Sequence, residues 1–157
     1  MTPDLSLSVQ YGVEEPRLPR WRLRRWAERA LAAAAEDGLV DFSAAELSLR
    51  LVGAAEGRRL NRDFRQRDYA TNVLTFEYGV DPLGVARGDI VMCVPVLVRE
   101  AREQRKALLD HAAHLTLHGV LHSLGYDHIK ARDARRMEAL ETATLARMGI
   151  ADPYTAA

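Results

Sequence analysis

The chain has 157 residues, of which 48% are hydrophobic and 28% are charged. This composition is typical of a globular protein, and a chain of this length can bury roughly 70% of its unfolded surface without disulfides. Its 22 basic and 22 acidic residues leave no net charge, so net charge does not point to a class of partner. We therefore expect one domain over residues 1–157.

The sequence favours a soluble, cytoplasmic protein. It contains one cysteine, Cys93, so an intrachain disulfide cannot form, as is usual in a reducing compartment. The first residues lack the apolar core of a signal peptide. The longest uninterrupted apolar run, 90–98, has nine residues, whereas a membrane-spanning helix needs about 20. We expect no membrane segment.

The first half of the chain predicts three strands and two helices. Residues 5–11 alternate apolar and polar side chains, as a half-buried strand does. A helical pattern over 21–37 stops at Gly38, and a second strand is predicted over 45–52. A short helix is predicted over 54–64, and β-branched and aromatic residues favour a strand over 71–78. We expect the two tryptophans near the first helix, Trp21 and Trp26, to be core residues.

The second half predicts one strand and three helices. Residues 79–88 contain Gly, Asp and Pro and predict a loop. A strand over 89–94 is followed by Pro95, and helices are predicted over 96–106, 109–124 and 131–148. Asp110 is a candidate N-cap of the middle helix and Gly125 a candidate terminator. Four strands with about five helices packed over one sheet indicate the α+β class.

The segment HGVLHSLGYDH, residues 118–128, predicts a metal site. His118 and His122 are four residues apart, so their Cβ atoms lie ~5–6 Å from each other on a helix. Gly125 permits a chain reversal that brings His128 to the same ion. Three imidazole ligands leave one coordination position open, which is the catalytic arrangement. The alternative is a cluster of hydrogen-bonded polar side chains without an ion.

Three further polar residues lie near these ligands. We expect His114, one turn before His118, to support the site or its packing, because a fourth ligand would close it. Asp127 either orients an imidazole or a water, or shapes the turn. His111 is about 10 Å along the helix axis from His118, too far to bind the same ion.

The histidine spacing is also that of a metzincin protease, but the protease base is absent. That frame carries Glu directly after its first His, and here the position is Gly119. Cleavage of a phosphodiester needs fewer catalytic side chains than cleavage of a peptide bond, because a metal and an arginine can stabilise charge on the nonbridging oxygens. This difference favours phosphodiester cleavage over amide hydrolysis.

Arginine is concentrated in three segments, which can form a positive face for nucleic acid or can simply be solvated helix faces. The guanidinium fork suits phosphate. The three clusters are Arg58, Arg59, Arg62, Arg65 and Arg67; Arg17, Arg20, Arg22, Arg24, Arg25 and Arg29; and Lys130, Arg132, Arg135 and Arg136.

The histidine motif closely resembles the signature of the bacterial YbeY family. Similar stretches outside it are LNRDFRQRDYATNVLTFEY, GDIVMCVP and MEALETATLARMGI, so the resemblance covers roughly residues 47–150. The chain departs from the family pattern at Ala70 and Glu77, where Pro is common, and at Ser123, where an aliphatic residue is usual.

The resemblance implies one α+β domain with a small mixed sheet and one zinc ion held by His118, His122 and His128. It also implies a functional arginine at Arg65, for which we expect a phosphate-binding role. The implied activity is endonucleolytic cleavage of single-stranded RNA in 16S rRNA 3′-end processing and ribosome quality control, with ribosomal partners. The alternatives are a non-catalytic ribosome-assembly factor with a structural metal and, less favoured, an amide hydrolase.

Overall fold

The computed structural model of the chain describes residues 2–155. The predicted α+β class and the predicted order of strands and helices are confirmed. The elements are β1 (Asp4–Tyr11), α1 (Arg20–Asp37), β2 (Ala44–Val52), α2 (Ala54–Arg65), β3 (Val73–Val80), β4 (Val85–Cys93), α3 (Val94–Glu103), α4 (Leu108–Ser123) and α5 (Ala131–Arg147).

The four strands form one mixed sheet in the order β1-β2-β4-β3. Strand β2 pairs in parallel with both β1 and β4, whereas β3 pairs antiparallel with β4. Two parallel pairs need crossover connections, and the helices between these strands provide them. In this order β1 and β3 are the two edge strands of the sheet.

The predicted loop over residues 79–88 is wrong in its length. Strand β3 continues to Val80 and β4 begins at Val85, so only four residues connect them. Asp81 closes this turn, because its Oδ1 accepts the backbone N–H groups of Leu83 and Val85 at 2.9 and 3.0 Å. Gly88, which favoured the loop prediction, lies inside β4. A Cβ there would lie 2.7 Å from that of Ser123 on α4, so close packing, and not a loop, accounts for this glycine.

Helix α4 is the central helix of the molecule, and it contacts α1, α3, α5, β3 and β4. Its buried side chains include Leu117, Val120 and Leu121. A helix that is apolar around much of its circumference is buried. The polar histidines of α4 are therefore fixed within a packed scaffold rather than carried on a loop.

Two sequence predictions about local features are wrong. Helix α4 is preceded by Ala107, which makes no side-chain cap, and Asp110 instead lies in the first turn, where its negative charge complements the helix dipole. Trp26 is buried in the core, but Trp21 is 60% exposed and lies against the Arg22 guanidinium. Within residues 2–155, no helix is long and apolar enough to cross a membrane.

Candidate metal centre

The histidine motif folds so that three imidazole rings face one another. His118 and His122 lie one turn apart near the end of α4, and their ring centroids are 6.3 Å apart. Gly125 follows the helix with φ of +106°, a conformation that side chains disfavour. The reversal returns His128 to within 5.5 Å of the His118 ring and 5.8 Å of the His122 ring, measured between centroids.

These separations match a three-histidine site that is slightly open. A metal held at ~2.1 Å by three nitrogens at tetrahedral angles places the ring centres ~5 Å apart. Over residues 2–155, no group of three or more His, Cys, Asp or Glu side chains is already drawn together to ion-holding distance. The centroid spacings of 5.5 to 6.3 Å exceed that value by about 1 Å, so the three imidazoles fit an ion in number, donor type and approximate spacing.

The hydrogen bonds of two rings support this fit. His118 Nδ1 lies 2.9 Å from Glu141 Oε2, and His122 Nδ1 lies 3.0 Å from the Tyr126 carbonyl oxygen. Both partners accept hydrogen bonds, so each Nδ1 carries a proton, and in a neutral ring Nε2 then has the lone pair. This arrangement is common behind metal-binding histidines, because the outer hydrogen bond fixes the tautomer and the ring orientation.

Glu141 is a candidate site residue that the sequence prediction missed. It lies on α5, is 0% exposed, and contacts both His118 and His114. Burial alone would raise the pKa of its carboxyl group, but hydrogen bonds from the two histidines outweigh burial and lower that pKa. The available signal was its position, since Glu141 shares the buried face of α5 with Met137 and Leu145.

His114 and His111 are turned to other partners. His114 Nε2 lies 2.7 Å from Glu141 Oε1, which is consistent with the predicted supporting role. His111 Nε2 lies 2.9 Å from Glu100 Oε1, and Asn72 also donates to that carboxylate. Desolvation lowers the pKa of His111 despite its acidic partner, so the buried ring favours its neutral form.

Asp127 shapes the turn between the second and third histidines. Its Oδ1 accepts the backbone N–H groups of His128 and Ile129 at 2.6 and 3.0 Å. The hydrogen bond from the Ile129 backbone lowers the pKa of Asp127, and the hydrogen bond from the His128 backbone adds to this effect. Slight desolvation opposes the two hydrogen bonds but does not outweigh them. Of its two predicted roles, the geometry supports turn formation, since its hydrogen bonds run to the backbone.

Gly119 faces the sheet and not the histidine cluster. A Cβ at this position would lie 2.8 Å from Ile90 Cγ2 on β4, closer than such carbons approach. The position at which a metzincin carries its catalytic Glu therefore has no room for a side chain. The protease base is absent here for a packing reason, in addition to the identity of the residue.

Arg65, the last residue of α2, lies against the edge strand β3. Its Nη2 donates to the Thr75 carbonyl oxygen at 2.7 Å, and its guanidinium carbon is 5.0 Å from the centroid of the Phe76 ring. Thr75 pairs with Ile90, which packs against Gly119 beside the first histidine. Arg65 thus contacts β3 at the level of the histidine motif, without hydrogen bonding to any described histidine.

Several arginines of the three basic clusters are already paired. Arg58 forms an ion pair with Asp68, and Arg62 forms one with Asp63. In the other clusters, Arg24 pairs with Glu28 and Arg136 pairs with Asp37. The positive face that these clusters can form is therefore partly neutralised, and it stays a prediction.

Comparison with known proteins decides the family. The family model described as Endoribonuclease YbeY matches residues 9–149. The chain belongs to the YbeY endoribonuclease family. Its relatives named Endoribonuclease YbeY include one from Bordetella avium, 79% identical over 97% of this chain and 94% of the relative. Another, from Bordetella pertussis, is 78% identical over the full length of both chains.

The predicted family resemblance is therefore confirmed. The fold is also similar to the solution structure of TM1509 from Thermotoga maritima, with a TM-score of 0.61 and 22% sequence identity. That similarity covers 96% of this chain and 99% of the other. At this identity the similarity shows a shared fold alone and carries no argument about the site.

Proposed function

We propose that this chain is a zinc-dependent endoribonuclease that cuts single-stranded RNA during maturation of the 16S rRNA 3′ end and in ribosome quality control. It would act in the cytoplasm as a single domain, with ribosomal RNA and ribosomal proteins as partners. One zinc ion would be held by His118, His122 and His128. Membership of the YbeY family supports the reaction class.

The observation that carries this proposal is the convergence of three rings whose centroids lie 5.5 to 6.3 Å apart. Two of them have Nδ1 hydrogen-bonded to an acceptor, as is common behind metal-binding imidazoles. His114 and His111 are engaged elsewhere, so the set supplies three ligands and leaves one coordination position for substrate.

The chemistry is divided between the ion and Arg65. When bound, zinc supplies Lewis acidity at a phosphate oxygen. Arg65 would bind a nonbridging oxygen and neutralise charge that develops there, since the planar guanidinium matches phosphate geometry. Its bond to the Thr75 carbonyl and its contact with the Phe76 ring hold the group in place and leave further N–H donors for phosphate.

Exposed aromatic rings on α2, on β3 and on the segment between them support a single-stranded substrate. Phe64 is 57% exposed and packs edge-on against Phe76, while Tyr69 and Tyr78 are 51% and 64% exposed. Unpaired bases stack on such rings without regard to sequence, and each stacked base contributes about 1–3 kcal/mol. Bases within a duplex cannot stack there without first unpairing.

The proposal is tested with His122→Ala and an RNA that spans the 3′ end of 16S precursor rRNA. Loss of an outer hydrogen-bond partner typically costs 10–100-fold in activity or metal affinity, so we expect loss of a ligand to cost more than about 100-fold. Chelation of the wild-type protein should have the same effect, and added zinc should reverse it. Undiminished cleavage by a folded variant would contradict the proposal.

Two further outcomes would identify the alternatives. Chelator-sensitive cleavage of an unstructured peptide would favour the amide hydrolase. Full support of ribosome maturation in cells by folded His122→Ala protein that cuts no RNA would favour the non-catalytic assembly factor. These experiments separate the three functions because they read out different bonds and different partners.

A further inference from the structure

The end of the described chain folds back onto the metal centre. After α5, residues 149–155 return towards α4, and Asp152 holds this segment by accepting hydrogen bonds from Thr142 Oγ1 and the Tyr154 backbone N–H at 3.3 and 2.8 Å. The Tyr154 hydroxyl then donates to Glu141 Oε1. Its ring packs edge-on against His114, with 5.3 Å between ring centroids.

Glu141 is the common acceptor of this network. Its Oε2 accepts from His118 Nδ1 at 2.9 Å. Its Oε1 accepts from His114 Nε2 at 2.7 Å and from the Tyr154 hydroxyl. A carboxylate can only accept hydrogen bonds, so three donors on a fully buried carboxylate satisfy it well. The geometry therefore specifies which nitrogen of His118 carries the proton.

We propose that Glu141 and Tyr154 form a positioning pair that fixes His118 in the Nδ1–H tautomer, whose Nε2 would be available to bind a metal ion. The C-terminal segment thereby completes the metal centre. This inference rests on the proposed function in assigning the pair a role towards a bound ion. Glu141 acts through His118, and Tyr154 acts through Glu141, so both are positioning residues and not metal ligands.

Tyr154 contributes by limiting the motion of the carboxylate. Without its hydroxyl, Oε1 keeps only the His114 partner, and the buried carboxylate loses a charge-assisted hydrogen bond. Tyr154 as a whole residue is 44% exposed, although its hydroxyl reaches a carboxylate with no exposed surface. Replacement by Phe removes that single oxygen and should leave the fold intact.

The first test is the tautomer of His118 in metal-free protein, read from nitrogen chemical shifts of ¹⁵N-labelled histidine. Wild-type protein should show the Nδ1–H form. In Glu141→Gln the amide oxygen should stay with the two donors at His114 and Tyr154, and the amide NH₂ should then face His118 and favour the Nε2–H form. An unchanged Nδ1–H tautomer in the folded variant would overturn the positioning role of Glu141.

The second test is zinc affinity, measured by competition with a chromophoric chelator. Glu141→Gln should weaken binding about 10–100-fold, the usual effect of removing the partner of a ligating imidazole. Tyr154→Phe should weaken it measurably, by up to about 10-fold. Tyr11→Phe is a matched control, since it also removes a hydroxyl hydrogen bond, to the Leu18 carbonyl oxygen, and it should bind zinc like wild-type protein.

The outcomes distinguish this inference from the proposed function. If His122→Ala loses zinc while Tyr154→Phe and Glu141→Gln bind it like wild-type protein, the positioning pair is wrong and the metal centre stands. If His122→Ala also binds zinc like wild-type protein, the proposed centre itself is wrong. Should Glu141→Gln fail to fold, Tyr154→Phe decides alone, and wild-type zinc affinity in that variant would overturn the positioning pair.

Discussion

Gly119 and Ile90 show how a single contact limits the chemistry of the site. The missing side chain at residue 119 lets α4 approach β4 closely. A Cβ at this position would lie only 2.8 Å from Ile90 Cγ2. Buried interiors are close-packed, so even one added carbon must displace its neighbours. A base for RNA cleavage therefore has to come from another position or from the substrate.

We predict that Gly119→Ala destabilises the protein by about 1–3 kcal/mol, the usual cost of overpacking. Alanine normally stabilises a helix relative to glycine by about 1 kcal/mol, so a net loss would show that the contact dominates. Urea denaturation measures the change. In the double variant with Ile90→Ala, the added methyl group should no longer be destabilising, and an equal cost in both backgrounds would contradict the prediction.

At Arg65, the contribution of the positive charge to RNA cleavage can be measured separately from that of the guanidinium shape. We predict that Arg65→Lys lowers kcat/KM for RNA about 10- to 100-fold, because lysine keeps the charge but loses the bidentate fork and the contact with Phe76. Zinc affinity should be unchanged. Arg99→Lys, on exposed α3 surface, is the matched control, and an equal loss of kcat/KM there would argue against a specific role for Arg65.

At the scale of elements, the site depends on how α4 ends. The helix places two histidines one turn apart, and the reversal after it places the third. His122 Nδ1 bonds the Tyr126 carbonyl across this reversal, and Asp127 then ties the backbone of His128. Since Gly125 has φ of +106°, the geometry of the turn rests on a residue without a side chain.

We predict that Gly125→Ala lowers stability by about 1–2 kcal/mol, the cost of placing an L-residue in such a conformation. It should also weaken zinc binding, because relaxation of the turn moves His128. Gly79→Ala is a matched control, since Gly79 lies in β3 with φ of +80° and has no heavy atom within 4 Å of an added Cβ. Denaturation should show a similar loss of stability in both variants, with zinc affinity reduced only in Gly125→Ala.

At the scale of the whole molecule, distant segments converge on the histidine turn. The Tyr126 hydroxyl donates to Asp37 at the end of α1 at 2.5 Å, and Arg136 from α5 reaches the same carboxylate. Burial and this hydrogen bond raise the pKa of Tyr126, so the phenol is neutral over the ordinary pH range. Helices α1, α4 and α5 are thus linked at the site.

We predict that zinc stabilises the whole fold, because its ligands come from two segments held by this packing. Binding that is specific to the folded state adds about 2.7 kcal/mol to the free energy of unfolding when free zinc is 100 times Kd. Thermal denaturation with and without zinc measures the effect. His122→Ala should show no zinc-dependent rise in Tm, and a rise equal to that of wild-type protein would place the binding elsewhere.

The sequence by itself determined the local features of this protein. Hydrophobic periodicity and turn residues gave the order of strands and helices, since period 2 or 3.6 and glycine conformation are properties of short segments. The spacing of His118, His122 and His128 predicted rings that converge, because helix geometry fixes the first pair. Features set by single contacts, such as the length of the β3–β4 turn, were predicted less well.

Only the tertiary structure decided which side chains support those rings. Glu141 is 23 residues from His118 and on another helix, and Tyr154 is 13 residues further. The direction of Gly119 and the place of Arg65 likewise depend on which faces of α4 and α2 meet the sheet. Such contacts follow from packing of whole elements, whose relative rotation no short stretch of sequence encodes.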